Sequence, residues 1–167
     1  INICAAVECI HSYSLIHDDL PCMDNDLIRR GKPSTHIKFG EASAVLAGNS
    51  LLTLAFEMIA DKNYSINSTL KNEIIKSLAY CSGHTGIAGG QELDLKFEKK
   101  KKSLKNIVDM QKKKTGKLFS FCLYSVGVVS KKSKSEKKFL SSLGEDIGLL
   151  FQFADDFLDI KGSKNLV

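Results

Sequence analysis

The chain has only two prolines, Pro21 and Pro33, and both fall within one thirteen-residue stretch. Proline lacks a backbone donor and clashes with the preceding turn, so it ends helices. Everything outside that stretch is free to run as long helix, and the apolar pattern does so. Ile1–Leu20 reads as a helix that Pro21 stops. Gly40–Ala60, containing "ASAVLAGNSLLTLAF", is apolar nearly all round, as a helix buried on most faces is. Further helices are expected at Thr69–Gly83, Thr85–Phe97, Ser103–Val129 and Ser135–Ile160. "GIAGG" should loosen or kink the helix from Thr85, because glycine weakens a helix interior. No run of strands bounded by turn signals is visible. The expectation is an all-α bundle forming a single domain over residues 1–167.

Composition removes several function classes. The net charge of +5 comes almost wholly from lysines concentrated at Lys99–Lys102, Lys112–Lys114 and Lys131–Lys138. No aromatics are interleaved with them and no nucleic-acid module is recognisable, so solvated helix ends and loops explain them better. Five cysteines form no CxxC pair, which points to reduced thiols and a cytoplasmic setting rather than a disulfide framework or zinc site. The longest uncharged run, Ala42–Phe56, is fifteen residues. That is short of the ~20 a membrane span needs, so no membrane span is expected. The chain opens with Ile1 inside an apolar segment, and reads as a piece of a longer polypeptide cut within a helix.

The chemistry-bearing residues lie in two acid clusters. "SLIHDDLPCMDNDLIRRGK" (Ser14–Lys32) crowds Asp18, Asp19, Asp24 and Asp26 ahead of Arg29, Arg30 and Lys32. "GLLFQFADDFLDIKG" places Asp155, Asp156 and Asp159 among Phe151, Phe153, Phe157, Leu158 and Ile160. Asp155 and Asp159, four apart, project from one helix face together with Gln152. Acids grouped in such apolar surroundings repel one another and resist desolvation unless a cation holds them. One such cluster is weak evidence, since a helix edge can carry it. Two of them, 131 residues apart from Asp24 to Asp155, are harder to dismiss, because antiparallel helices can bring them face to face. Hard oxygen ligands favour Mg²⁺. Arg29, Arg30, Lys114 and Lys117 suit a substrate that carries phosphates. His17 adjoins the acids, but a helix-packing role is favoured for it, as for His11 and His36.

These motifs resemble the short-chain trans-prenyl diphosphate synthases, closest to the farnesyl diphosphate synthases of bacteria. "SLIHDDLPCMDNDLIRRGKPSTH" is similar to the family's first aspartate-rich motif. "GGQELDL" (Gly89–Leu95), "KTG" (Lys114–Gly116) and "QFADDFLD" (Gln152–Asp159) follow in the family's order. The resemblance covers essentially the whole chain and implies an isoprenoid-synthase bundle of antiparallel helices around a central cavity, truncated at both ends. It implies Mg²⁺, three ions with substrate bound and Mn²⁺ able to substitute. Asp18 and Asp24 would be ligands of two ions and Asp155 of a third, with Asp159 a further metal-site acid. Asp19, Asp156 and Asp159 would hold waters or orient cations. Arg29, Lys114, Thr115 and Gln152 would contact the allylic diphosphate, and Arg30 the isopentenyl diphosphate. Asp18, Asp19, Asp24, Lys114 and Asp155 would be the catalytic set. Gln91 and Asp94 either line the cavity near the reacting carbons or serve structurally.

The implied reaction is head-to-tail condensation of isopentenyl diphosphate with dimethylallyl or geranyl diphosphate to farnesyl diphosphate, by a homodimer. Tyr13, five residues before Asp18, and Ser14 beside it would floor the cavity and set product length. Geranylgeranyl diphosphate synthesis and a non-catalytic subunit are the alternatives. There are departures: Leu27–Ile28 stand where the family often has Asp-Leu, and the family's N-terminal isopentenyl diphosphate segment and its region after the second motif are absent.

Overall fold

The computed structural model describes residues 1–97 and 102–162, with side chains to residue 158. They pack as two compact units, Ile1–Ile75 and the residues from Lys76 onward.

The first unit is built on a pair of antiparallel helices, α1 (Asn2–Asp18) and α3 (Glu41–Ala60). Their direction is read from the ends. Asn2 Nδ2 donates to the Met58 carbonyl at 2.9 Å, while His17 Nε2 lies 3.1 Å from the Val45 carbonyl. Ala6, Ile10 and Tyr13 are buried on α1, and Ala44, Gly48, Ala55 and Ile59 form one buried stripe on α3. Small residues dominate that stripe, so the two backbones approach closely. By length and composition α3 is apolar enough to cross a membrane, although its uncharged run is only fifteen residues. The expectation of burial on most faces is not met: α3 packs on α1 through one stripe, while Val45, Leu46 and Leu54 on its other faces are exposed.

α1 ends one turn before Pro21, as expected. The segment to Pro33 contains something the apolar pattern did not announce: a two-residue antiparallel hairpin, β1 (Ile28–Arg29) against β2 (Lys32–Pro33). Its turn residues are Arg30 (φ +53°) and Gly31 (φ +72°). Positive φ at both centres is what a tight hairpin turn demands, and Arg30 meets it without being glycine. A short α2 (Thr35–Phe39) then leads into α3. α4 (Ser68–Ser82) follows, with Ile74 and Leu78 fully buried.

In the second unit α5 (Ile87–Phe97) precedes α6 (Leu104–Gln111), α7 (Lys117–Val129) and α8 (Lys134–Gly162). Ser103 caps α6 by accepting from Asn106 N. The single helix expected over Ser103–Val129 is interrupted in its hydrogen-bond pattern, because Lys112–Gly116 form a π-helical turn. Such turns insert a residue into the ladder and are frequent at functional sites. α7 and α8 run antiparallel at glycine distance. A Cβ on Gly144 would sit 2.5 Å from the Phe119 carbonyl, and one on Gly148 would sit 2.7 Å from Gly116 Cα. Ser120 and Ser141 hydroxyls meet at 2.8 Å across the same seam. "GIAGG" does not put a kink in mid-helix; it straddles the start of α5. Gly90 there lets the backbone touch the π turn, where a Cβ would lie 2.2 Å from Lys114 N.

Candidate active site

In the first unit the acid cluster divides by burial. Asp19 is 2% exposed, Asp18 is half-buried and Asp24 is exposed. A carboxylate as buried as Asp19 needs a partner. Arg29 supplies it: its Nε donates to Asp19 Oδ1 at 3.1 Å, and its Nη2 donates both to Asp19 and, at 3.0 Å, to Asp26. The hairpin is what returns Arg29 to α1. The hydrogen bond to Asp19 in turn raises the Arg29 pKa above its ordinary value. Asp18 and Asp24 are brought together by the backbone, since Asp24 N donates to the Asp18 carbonyl at 3.0 Å. Asp18 also closes α1, where the helix's negative end favours a cation.

Arg29 and Arg30 line a cleft of about 260 Å³ with Ser12, Asp19 and Ser34. Arg30 Nη2 lies 3.2 Å from His11 Nε2. A guanidinium only donates, so that ring nitrogen is the acceptor. Ser34 is 1% exposed and no protein partner of its hydroxyl is found among the described residues. Tyr13 is buried, its hydroxyl pKa raised by desolvation, and the Ser14 hydroxyl is turned back onto the His11 carbonyl at 2.8 Å.

The second unit joins three of the predicted residues, Thr115, Gln152 and Asp156, in one hydrogen-bonded chain. Thr115 Oγ1 donates to Gln152 Oε1 at 2.9 Å, and Gln152 Nε2 donates to Asp156 Oδ1 at 2.8 Å. Gln111 Nε2 closes on the other oxygen of Asp156 at 2.9 Å. Asp156 is thus held by two amides, and both it and its neighbour Asp155 are exposed. Lys114 Nζ donates to Asp94 Oδ2 at 2.6 Å, which gives Asp94 a definite place as the partner of that lysine. Lys117 is instead drawn to Glu145. Asp159 falls within α8, but its side chain lies outside the described residues.

Sequence reasoning missed Gln111. Its one signal is that it stands four residues before Thr115, so a helix carries both on one face. The metal assignment can be tested on donor chemistry. Among the described residues no three His, Cys, Asp or Glu side chains cluster to enclose an ion on protein ligands alone. His17 Nε2 faces a carbonyl and so carries a proton, which removes it as a ligand there. Asp18 and Asp24 in the first unit and Asp155 in the second each supply hard carboxylate oxygen. Those residues fit Mg²⁺, which takes one or two carboxylates and keeps waters and phosphate oxygens in its octahedron.

Comparison with known proteins agrees with this chemistry. The chain is 39% identical over 168 residues to the farnesyl diphosphate synthase of Bacillus subtilis (strain 168), covering 100% of this chain and 57% of that enzyme. It is 43% identical over 157 residues to the geranylgeranyl diphosphate synthase of Cyanophora paradoxa, covering 93% and 52%. The crystal structure of a Helicobacter pylori geranyltransferase complexed with magnesium and isoprenyl diphosphate superposes with a TM-score of 0.90 at 41% identity, over 95% of this chain and 52% of that one. The chain therefore spans a little over half the length of these relatives. The family described as polyprenyl synthetase matches residues 1–166, and the chain belongs to that family.

Proposed function

We propose that the complete protein is a prenyltransferase that joins isopentenyl diphosphate head-to-tail to dimethylallyl or geranyl diphosphate, yielding farnesyl diphosphate. The observation that carries this reading is the division among the acids. Asp19 is buried against Arg29, whereas Asp18 is half-buried at the end of α1, Asp24 and Asp155 present exposed carboxylates, and no ring of acids encloses an ion among the described residues. That arrangement suits an ion shared with a substrate's phosphates rather than one sealed in protein. Bound Mg²⁺, assigned to Asp18, Asp24 and Asp155 with Asp159 in support, would neutralise charge developing on the departing diphosphate.

The chain's own residues do the rest. Arg29, fixed by Asp19, and Lys114, fixed by Asp94, present cations to the allylic diphosphate. Arg30, at the tip of the hairpin, lines the first unit's cleft beside Arg29 and is assigned to the isopentenyl diphosphate. Thr115 and Gln152 orient the diphosphate oxygens from the network that also holds Asp156. No nucleophilic side chain is required, because the allylic carbon–oxygen bond ionises, diphosphate departs, and the double bond of isopentenyl diphosphate attacks the resulting carbocation. A proton is then lost to the departing diphosphate. We place the whole of residues 1–167 in one catalytic domain of a cytoplasmic homodimer, acting on neither nucleic acid nor membrane.

Geranylgeranyl diphosphate is the competing product, and a synthase of that product is as similar as those of farnesyl diphosphate. The reading of fifteen carbons is supported by Tyr13, which is buried five residues, about 7.5 Å of helix rise, before Asp18. A non-catalytic subunit would be expected to have lost aspartates that are intact here. The test is to incubate the complete polypeptide with labelled isopentenyl diphosphate and each allylic starter, with and without Mg²⁺. A fifteen-carbon product that disappears in chelator is expected. A longer sole product, or full activity in chelator, would refute the reading.

A further inference from the structure

Tyr13 does not stand alone. Four residues on, His17 meets it edge to face, with ring centroids 5.4 Å apart and planes at 87°. His17 is itself fixed from α3. Its Nε2 lies 3.1 Å from the Val45 carbonyl, and its ring occupies the hollow over Gly48. A Cβ on Gly48 would lie 2.1 Å from Nε2, 2.3 Å from Cδ2 and 2.9 Å from Cε1. The imidazole is therefore clamped between a bare backbone on one helix and the tyrosine ring on the other. Gly48 is buried, and no other residue type leaves the imidazole that space.

We propose that Gly48 and His17 are product-length positioning residues: through the imidazole they hold the Tyr13 ring in the pose that stops a growing prenyl tail. This rests on the reading of Tyr13 as the floor of the chain-elongation cavity. His17, next to Asp18, acts here as a brace and neither ligates a metal nor moves a proton. With the brace gone, the Tyr13 ring gains alternative rotamers and the stop becomes leaky. An edge-to-face ring contact biases such a population by about three- to tenfold. The same imidazole ties the floor to α3, so a change on α3 reaches the product without touching α1.

The experiment measures the ratio of twenty-carbon to fifteen-carbon product made by the complete polypeptide, for Tyr13→Ala, His17→Ala, Gly48→Ala and the His17→Ala/Gly48→Ala double variant. Tyr13→Ala should give the largest rise in the ratio. His17→Ala should raise it by about three- to tenfold. Gly48→Ala should change the ratio by displacing the imidazole, and the double variant should match His17→Ala alone, because the methyl then has nothing to strike. A product ratio does not follow overall rate, so loss of folded enzyme does not mimic the effect. Should Gly48→Ala fail to fold by circular dichroism, His17→Ala and the double variant still decide. If Tyr13→Ala lengthens the product but His17→Ala leaves the parent ratio, the brace is overturned and the floor stands. If Tyr13→Ala changes nothing, the floor reading itself falls, and the brace with it.

Discussion

Gly90→Ala adds one methyl at the point where α5 meets the π turn, and its effect can be worked from the geometry. The new Cβ would lie 2.2 Å from Lys114 N, 2.5 Å from Lys114 Cα and 2.8 Å from the Lys113 carbonyl carbon. Ordinary contact is about 3.5 Å, so the shortfall is about 1.3 Å. Every atom struck is backbone, and no rotamer change relieves it. Either the π turn retreats from α5 or α5 retreats from it. Both moves separate Asp94 from Lys114, which now meet at 2.6 Å. Overpacking costs about 1–3 kcal/mol. Alanine in place of an interior glycine returns about 1 kcal/mol of helix propensity. The net destabilisation is then about 1 kcal/mol, enough to see and too little to unfold the protein. Turnover should suffer far more, because a displacement of about 1 Å in a positioned group can cost on the order of 100-fold. The assay pairs steady-state kinetics with urea unfolding, using Ala88→Ser at an exposed neighbour in α5 as the control. A Gly90→Ala enzyme with kcat within about twofold of the parent would refute the argument that this glycine sets the lysine's position.

The helices were legible because they are long and because proline is confined. The boundaries of α3, α4 and α8 fall within two residues of those expected from apolar pattern alone. The hairpin at Ile28–Pro33 was not legible, because its strands are two residues each and carry no alternation to read. The Arg30–Gly31 pair was its only signal, and arginine is a poor advertisement for positive φ. The π turn was hidden for a different reason. "KKKTG" has the composition of ordinary exposed helix, and the change of hydrogen-bond period follows from packing against Gly90 and Gly148, not from local propensity. For the site, sequence named the acids and cations but not how they pair. That Asp19 is bound to Arg29, Asp94 to Lys114 and Asp156 to Gln111 depends on contacts 10, 20 and 45 residues apart in the chain. Gly48 and His17 show the same limit. Spacing puts His17 on the face of Tyr13, but only the α1–α3 packing shows that a missing side chain makes room for it.

Three further outcomes follow from the same contacts. Asp19→Ala strips Arg29 of its buried partner and should destabilise the complete protein by about 2 kcal/mol in urea unfolding, below the 3–5 of a fully buried pair. The discount reflects Arg29, whose side chain is 35% exposed and keeps Asp26; an unchanged midpoint would discard the pairing as a stabiliser. Burial pushes the Cys81 thiol up to about 11, so at pH 8 it is almost wholly protonated and inert, whereas Cys22 is exposed. Iodoacetamide should therefore modify Cys22 in the native protein and reach Cys81 only after unfolding, and early labelling of Cys81 would contradict its place in the core. The last outcome separates the adjacent acids of α8. Both are exposed, but Asp155 is assigned to the metal, while Asp156 accepts one amide N–H on each oxygen, from Gln152 and Gln111. An acid with both oxygens engaged acts by holding Gln152, and through it Thr115, in place, so its loss should loosen the diphosphate contacts more than the ion. Asp155→Ala should weaken Mn²⁺ binding in the presence of inorganic pyrophosphate, read by electron paramagnetic resonance, and lower kcat by on the order of 100-fold or more. Asp156→Ala should leave Mn²⁺ binding near the parent value and act mainly through a raised KM for the allylic diphosphate, with Gln111→Leu reproducing a fraction of that rise. The reverse pattern, Mn²⁺ lost with Asp156 and kept without Asp155, would exchange the two roles.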